Sequence, residues 1–217
     1  MKSLASEIPN WEFAVNEIKR FLVAKPELEL KAKSFGEIYR GKRGLMVVDV
    51  ICSKQRNYEK RVLNDLLPKY RENTKDLSLK TLAVNAPTFL KIMSAEPRTM
   101  QDVAIKLLEF GDKNKIIDED EVCKQWANSE TYWTLLQIKG MGPVLLEYLR
   151  MLCGVDTIKL DVNVGKALAK LGIKTLGYPT DIVVKVCQYL AKDIGCSLIA
   201  LDQALFYLGR NNSFNEI

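Results

Sequence analysis

Apolar residues recur along most of this chain at three- and four-residue spacing, the period of a helix with one buried face. Trp11 to Ala24 places Phe13, Ile18, Phe21 and Leu22 on one side, and Pro26 closes the segment. Leu45 to Gln55 is an apolar run, and Tyr58 to Lys69 follows with Val62, Leu63, Leu66 and Leu67 at helical spacing. Leu77 to Val84 and Thr88 to Met93 are short helical pieces separated by Pro87. Thr99 to Phe110 repeats the pattern, and Gly111 suits its C-cap. Asp118-Glu119-Asp120-Glu121 puts negative charge where a helix N-terminus favours it, opening a helix to about Ala127. Glu130 to Ile138, Pro143 to Cys153, Asp161 to Leu171, Thr180 to Lys192 and Ser197 to Gly209 complete the helices. Only Val155 to Leu160 reads as extended, and one isolated strand builds no sheet. The pattern predicts an all-α protein.

Composition narrows the chemistry. With 47% hydrophobic and 27% charged residues, extensive disorder is excluded. The 217 residues suffice for a core without disulfides. No apolar run approaches the roughly 18–20 residues a membrane span needs, so no membrane partner is expected. Met1 to Glu7 contains no apolar signal core, and the expectation is a cytoplasmic protein. The chain has no histidine. Triads with His, His-ligated metals and histidine switches are thereby excluded, and acid–base work falls to Asp, Glu, Lys, Tyr or Cys. The five cysteines, Cys52, Cys123, Cys153, Cys187 and Cys196, show no metal-ligand spacing and read as reduced, buried thiols.

The net charge of +5 is unevenly placed. Lys31 to Lys80 holds thirteen basic and six acidic residues; Lys139 to Lys174 holds six and three; Gly111 to Glu130 holds three and six. Two separated basic segments suit a polyanion, although solvated helix faces give the same counts.

One segment carries chemical information. Ile138-Lys139-Gly140-Met141-Gly142-Pro143-Val144 joins two helices through G-x-G. Two glycines permit a tight turn with positive φ and close approach by another backbone. Pro143 suits the first turn of the next helix, whose free N–H groups favour an anion such as phosphate. A plain helix–helix turn is the other reading of these residues alone.

The I-x-G-x-G-P pattern between helices resembles the helix-hairpin-helix motif of DNA-repair proteins. Nineteen residues beyond Gly142, Leu160-Asp161-Val162-Asn163-Val164-Gly165-Lys166-Ala167-Leu168 resembles the aspartate-bearing segment of the helix-hairpin-helix DNA glycosylase superfamily, of the endonuclease III and 8-oxoguanine glycosylase type. Val48 to Asn57 resembles that family's early helix, and Leu201 to Gly209 its closing helix. The resemblance spans roughly Lys42 to Arg210.

It implies one unit of two helical lobes, about 40–150 and 1–39 plus 151–217, with the hairpin at about 130–153. It also implies a monomer acting on double-stranded DNA, nucleoid-associated when bound, that extrudes a base and hydrolyses its N-glycosidic bond. Asp161 becomes the catalytic carboxylate, stabilising an oxocarbenium-like sugar or activating water. The same residue is a good N-cap for the helix after it. Lys139, Gly140, Met141, Gly142, Val144 and Lys166 become DNA contacts. Gln55, Arg56 and Asn57 fall where relatives fill the gap left by the extruded base, and equally where a helix C-cap belongs. Backbone carbonyls of Leu136, Ile138 and Met141 fit a Na⁺ or K⁺ at the hairpin, and no other cofactor is required. Tyr132, Trp133, Phe206 and Tyr207 are core or base-stacking aromatics.

The departures are informative. Bifunctional members carry a lysine two residues after the second hairpin glycine, where this chain has Val144, so a monofunctional hydrolase is expected. Cys187 and Cys196 stand alone near the C-terminus, so no iron–sulfur cluster is expected. Asn163 stands where many relatives have His, and Lys54 interrupts the polar signature of the early helix. A helix-hairpin-helix DNA-binding protein without catalysis is the second reading, and a helical interaction module the third.

Overall fold

The computed structural model describes residues 8–175 and 177–210, and among them every regular element is a helix. In chain order these are α1 (Trp11–Ala24), α2 (Glu27–Lys33), α3 (Arg43–Cys52), α4 (Leu67–Asn73), α5 (Leu79–Val84), α6 (Glu96–Asn114), α7 (Glu119–Asn128), α8 (Pro143–Leu152), α9 (Val162–Lys170), α10 (Thr180–Ile194) and α11 (Leu198–Arg210). Short 3₁₀ helices cover Glu37–Tyr39 and Tyr132–Gln137, and a π-helix covers Tyr58–Leu66 ahead of α4. No helix among the described residues is long and apolar enough to cross a membrane.

Several elements depart from the periodic pattern. α2 was not expected, because it buries only Leu28 and Ala32, a single pair at i and i+4. Thr88 to Met93 forms turns closed by short-range bonds, such as Leu90 N–H to Pro87 O at 3.2 Å, and not a helix. Gly111 does not end α6. The helix runs on to Asn114, and left-handed Lys115 caps it while Val122 occupies the space beside Gly111. Phe13 lies off the buried face of α1, 53% exposed, while Ala14 and Val15 take the inward positions. Residues 155–161 run without helix or strand.

The chain folds into two compact units, Gly36–Val155 and the pairing of Met1–Phe35 with Asp156–Ile217. In the first, α3 is buried along its whole length, which explains its apolar run on every side. Two buried polar side chains of α3, Arg43 and Asp49, make specific contacts. Arg43 Nε meets Asp120 Oδ1 of α7 at 2.6 Å, and its Nη1 donates to the Leu152 carbonyl at 3.2 Å. Asp49 Oδ2 accepts hydrogen bonds from Tyr39, from Tyr58 at 2.9 Å and from Tyr148 at 3.3 Å. Burial foremost, then the Asp49 charge, raises the pKa of all three phenols well above the ordinary value.

In the second unit, α1, α9, α10 and α11 enclose a core containing Ile18, Phe21, Leu168, Leu190, Leu201 and Leu205. Trp11 Nε1 donates to Asp193 Oδ2 at 2.8 Å, tying α1 to α10. Gly209 lets α11 lie directly on α9, since a Cβ there would sit 2.0 Å from the Asn163 carbonyl oxygen. The cysteines are free thiols, and only Cys196 is not fully buried. Burial pushes Cys52 and Cys187 up to about 12 and Cys196 to about 11. Such thiols are inert at neutral pH.

Candidate functional site

The G-x-G turn belongs to the Gly36–Val155 unit. The segment before it is the 3₁₀ helix Tyr132–Gln137, tighter than the α-helix its pattern suggested. Ile138 N–H closes onto the Leu135 carbonyl, and Met141 N–H onto the Ile138 carbonyl, each at 3.0 Å. Gly140 sits at φ +97°, a conformation other residues adopt at a cost, and a Cβ there would approach Thr99 Oγ1 to 2.8 Å. The Thr99 hydroxyl donates to the Lys139 carbonyl at 2.8 Å, so α6 fixes the turn from below.

Lys139 and Gly140 are exposed, Gly142 and Val144 are half-buried, and Met141 is buried. The Met141 side chain therefore anchors the turn, and its part in any DNA contact is confined to the backbone. α8 opens at Pro143 with no side-chain cap, leaving its first N–H groups to an outside acceptor. Of the three carbonyls expected to hold a monovalent cation, those of Leu136, Ile138 and Met141, the Ile138 oxygen already accepts the Met141 N–H and has one lone pair to spare. Among the described residues no cluster of three acidic or cysteine side chains forms a metal site.

At the end of α3, Gln55 is exposed at φ +53°, left-handed without being glycine. Arg56 is turned inward. Its guanidinium pairs with both Glu96 oxygens at 3.0 and 2.6 Å and also reaches the Cys52 and Lys54 carbonyls. Asn57 caps the π-helix, its Oδ1 accepting Lys60 N–H at 2.9 Å. Of this trio, Gln55 is the member with an exposed side chain that no cap occupies. The basic excess of Lys31 to Lys80 is likewise partly spent internally, since Arg43, Arg56 and Arg61 each hold a carboxylate.

Among the aromatic candidates, Tyr132 lies under the Arg150 guanidinium, 3.8 Å from ring centre to Cζ, whereas Trp133 is 51% exposed. Phe206 and Tyr207 meet edge to face at 5.7 Å.

Asp161 lies in the other unit. It is half-buried and caps α9, with Oδ1 accepting the N–H groups of Asn163 at 2.8 Å and Val164 at 3.1 Å. Lys166 is exposed one turn further along α9. The cap engages Oδ1, and no other contact of the carboxylate is needed to hold the helix start.

Sequence reasoning passed over three buried carboxyls, of which Glu96 is the partner of Arg56. Asp202 on α11 is 5% exposed and Asp49 on α3 is fully buried. Each interrupts an apolar stretch, Val47-Val48-Asp49-Val50-Ile51 and Ala200-Leu201-Asp202-Gln203-Ala204, and an acid inside such a stretch is the signal that flags them. Comparison with protein-family models, with curated proteins and with solved structures finds no match.

Proposed function

We propose that this protein is a monofunctional DNA glycosylase that hydrolyses the N-glycosidic bond of a flipped base in duplex DNA. The observation that carries the reading is the turn around Gly140, held at positive φ against Thr99 and opening into an α8 whose N-terminus no side chain caps. Such an end offers backbone N–H groups and positive dipole to a phosphate. Lys139 beside it adds an exposed positive charge.

The resemblance then assigns the chemistry to Asp161. Its Oδ1 is committed to the start of α9. That bond fixes the carboxylate's orientation, leaving Oδ2 to face a developing cation or a water. Val144 has no amine, so no Schiff base forms at that position and water is the nucleophile. On this reading Gln55 fills the space the base vacates, and Lys139 and Lys166 contact phosphates.

The test is incubation with duplexes carrying uracil, 8-oxoguanine, alkylated purines, oxidised pyrimidines or mismatches, followed by alkali to convert abasic sites to breaks. Breaks from one of these substrates, abolished by Asp161→Asn, support the reading. Duplex binding without base release on any of them would leave a DNA-binding protein, and no binding at low salt would dismiss both.

A further inference from the structure

The chain leading to Asp161 is fastened to α11 at both ends. At one end Asp156 Oδ1 accepts Ile199 N–H at 3.0 Å, supplementing the Ser197 hydroxyl, which accepts Ala200 N–H at 3.1 Å. At the other end Asp202 reaches back from α11, and its Oδ1 accepts Lys159 N–H at 2.9 Å. The Lys159 carbonyl in turn accepts Asp161 N–H at 2.7 Å. Residues 155–161 have no helix or strand of their own, so these side-chain bonds substitute for regular structure.

Asp202 is an unusual choice for that task. An amide or hydroxyl would hold Lys159 N–H without placing an ionisable group in a core. The Lys159 ammonium and the Asp161 carboxylate act on its charge, and its own charge acts on the Cys187 thiol of α10. Gln203 Nε2 also donates to its Oδ2 at 3.3 Å. Burial first, and the Asp161 charge with it, opposes ionisation; the Lys159 N–H, the ammonium and Gln203 favour it. The balance pushes the Asp202 carboxyl up to about 7. Two nearby carboxyls in unlike surroundings, one half-exposed and one buried, are suited to different roles.

We propose that Asp202 is a positioning residue for Asp161: its hydrogen bond to Lys159 N–H fixes the backbone that presents Asp161 and pairs the two carboxyls across that segment. The catalytic consequence rests on the glycosylase reading; the pairing of the two carboxyls does not.

The pairing is tested by following the aspartate side-chain carboxyls by ¹³C NMR from about pH 4 to about pH 9 in the parent, in Asp161→Asn and in Asp202→Asn. One parent carboxyl is expected to titrate near neutrality, to disappear in Asp202→Asn and to move to lower pH in Asp161→Asn. A carboxyl set titrating wholly in the ordinary range, or an Asp202 resonance indifferent to Asp161→Asn, overturns the pairing. Should Asp202→Asn fail to fold, the Asp161→Asn titration decides alone, because it retains the Asp202 side chain.

The role is tested by base release. Single-turnover rates of the parent are expected to fall above neutrality as Asp202 ionises, and Asp202→Asn removes that limb without changing duplex affinity. A uniform loss at every pH means that Asp202 is merely structural and overturns the role. If no duplex loses a base to the parent, the glycosylase reading fails, and the role of Asp202 in catalysis fails with it, while the NMR result still decides the pair.

Discussion

The Tyr148 hydroxyl of α8 and the Asp49 carboxylate of α3 meet at 3.3 Å inside the Gly36–Val155 unit. Tyr58 completes a triangle with them, 3.1 Å from Tyr148 and 2.9 Å from Asp49. The helix that follows the G-x-G turn is thus locked to the central helix through one buried carboxylate. Asp49→Ala strips the acceptor from three phenols, and a loss of about 3–5 kcal/mol is expected in urea unfolding. Tyr148→Phe removes a hydroxyl in contact with both Asp49 and Tyr58 and is expected to cost about 1–2 kcal/mol. In alkaline titration of the folded protein, followed by phenolate absorbance, Tyr39, Tyr58 and Tyr148 ionise after the exposed tyrosines.

Arg56 and Glu96 form a largely buried ion pair in that unit, with side chains 15% and 5% exposed. Glu96→Ala leaves a guanidinium in a partly buried site and is expected to cost about 3 kcal/mol. The double variant with Arg56→Ala should recover part of this loss, so the cycle measures the pair's coupling. Gln55→Gly is expected to change stability by less than about 1 kcal/mol, since relief of the left-handed backbone offsets the entropy of glycine. Base release should fall all the same if Gln55 fills the vacated stack.

Gly140→Ala places a methyl group against Thr99 at positive φ. A loss of about 1–3 kcal/mol is expected, together with weaker duplex binding at every sequence. Lys139→Glu should weaken binding without affecting stability, and it should flatten the salt dependence measured by fluorescence anisotropy.

Asp161→Asn keeps the oxygen that caps α9, so stability should change by less than about 1 kcal/mol, whereas Asp161→Ala loses the cap and costs about 1 kcal/mol more. Base release should drop by several orders of magnitude in both, because neither carries the charge. Borohydride is expected to trap no protein–DNA adduct with the parent, as Val144 offers no amine.

Asp202 gives stability a definite pH dependence. Its folded carboxyl is raised to about 7 from the model-compound value of 3.8, so the folded state holds a proton that the unfolded chain has released between those values. The Asp202 contribution to stability is therefore greatest below the unfolded value and is lost as pH rises towards neutrality. At about 1.4 kcal/mol per unit the loss reaches about 4 kcal/mol. Asp202→Asn should flatten that slope in thermal melts between about pH 4 and about pH 7, with its relative advantage largest near neutrality. A parent curve that runs parallel to that of Asp202→Asn over this interval would contradict the assignment.

The helical period, caps and breakers determine the all-α class from sequence alone. α1 runs from Trp11 to Ala24 as its apolar spacing requires, and Asp118 and Asp161 cap α7 and α9 through their side chains. These outcomes are local, settled within a turn or two of backbone. Where the outcome depends on partners distant in sequence, the pattern falls silent. Gly111 looks like a helix end but is a packing notch for Val122, and Arg56 looks like a surface cation but is held by Glu96, forty residues away. Thr99 gives no local sign that it braces the Lys139 carbonyl. Asp202 shares its surroundings with Asp161 only because α11 returns to the segment before α9. Spacing along the chain encodes which face of a helix avoids water. Which charges meet beneath that face is decided by tertiary packing, because burial and neighbouring charge depend on distance in space.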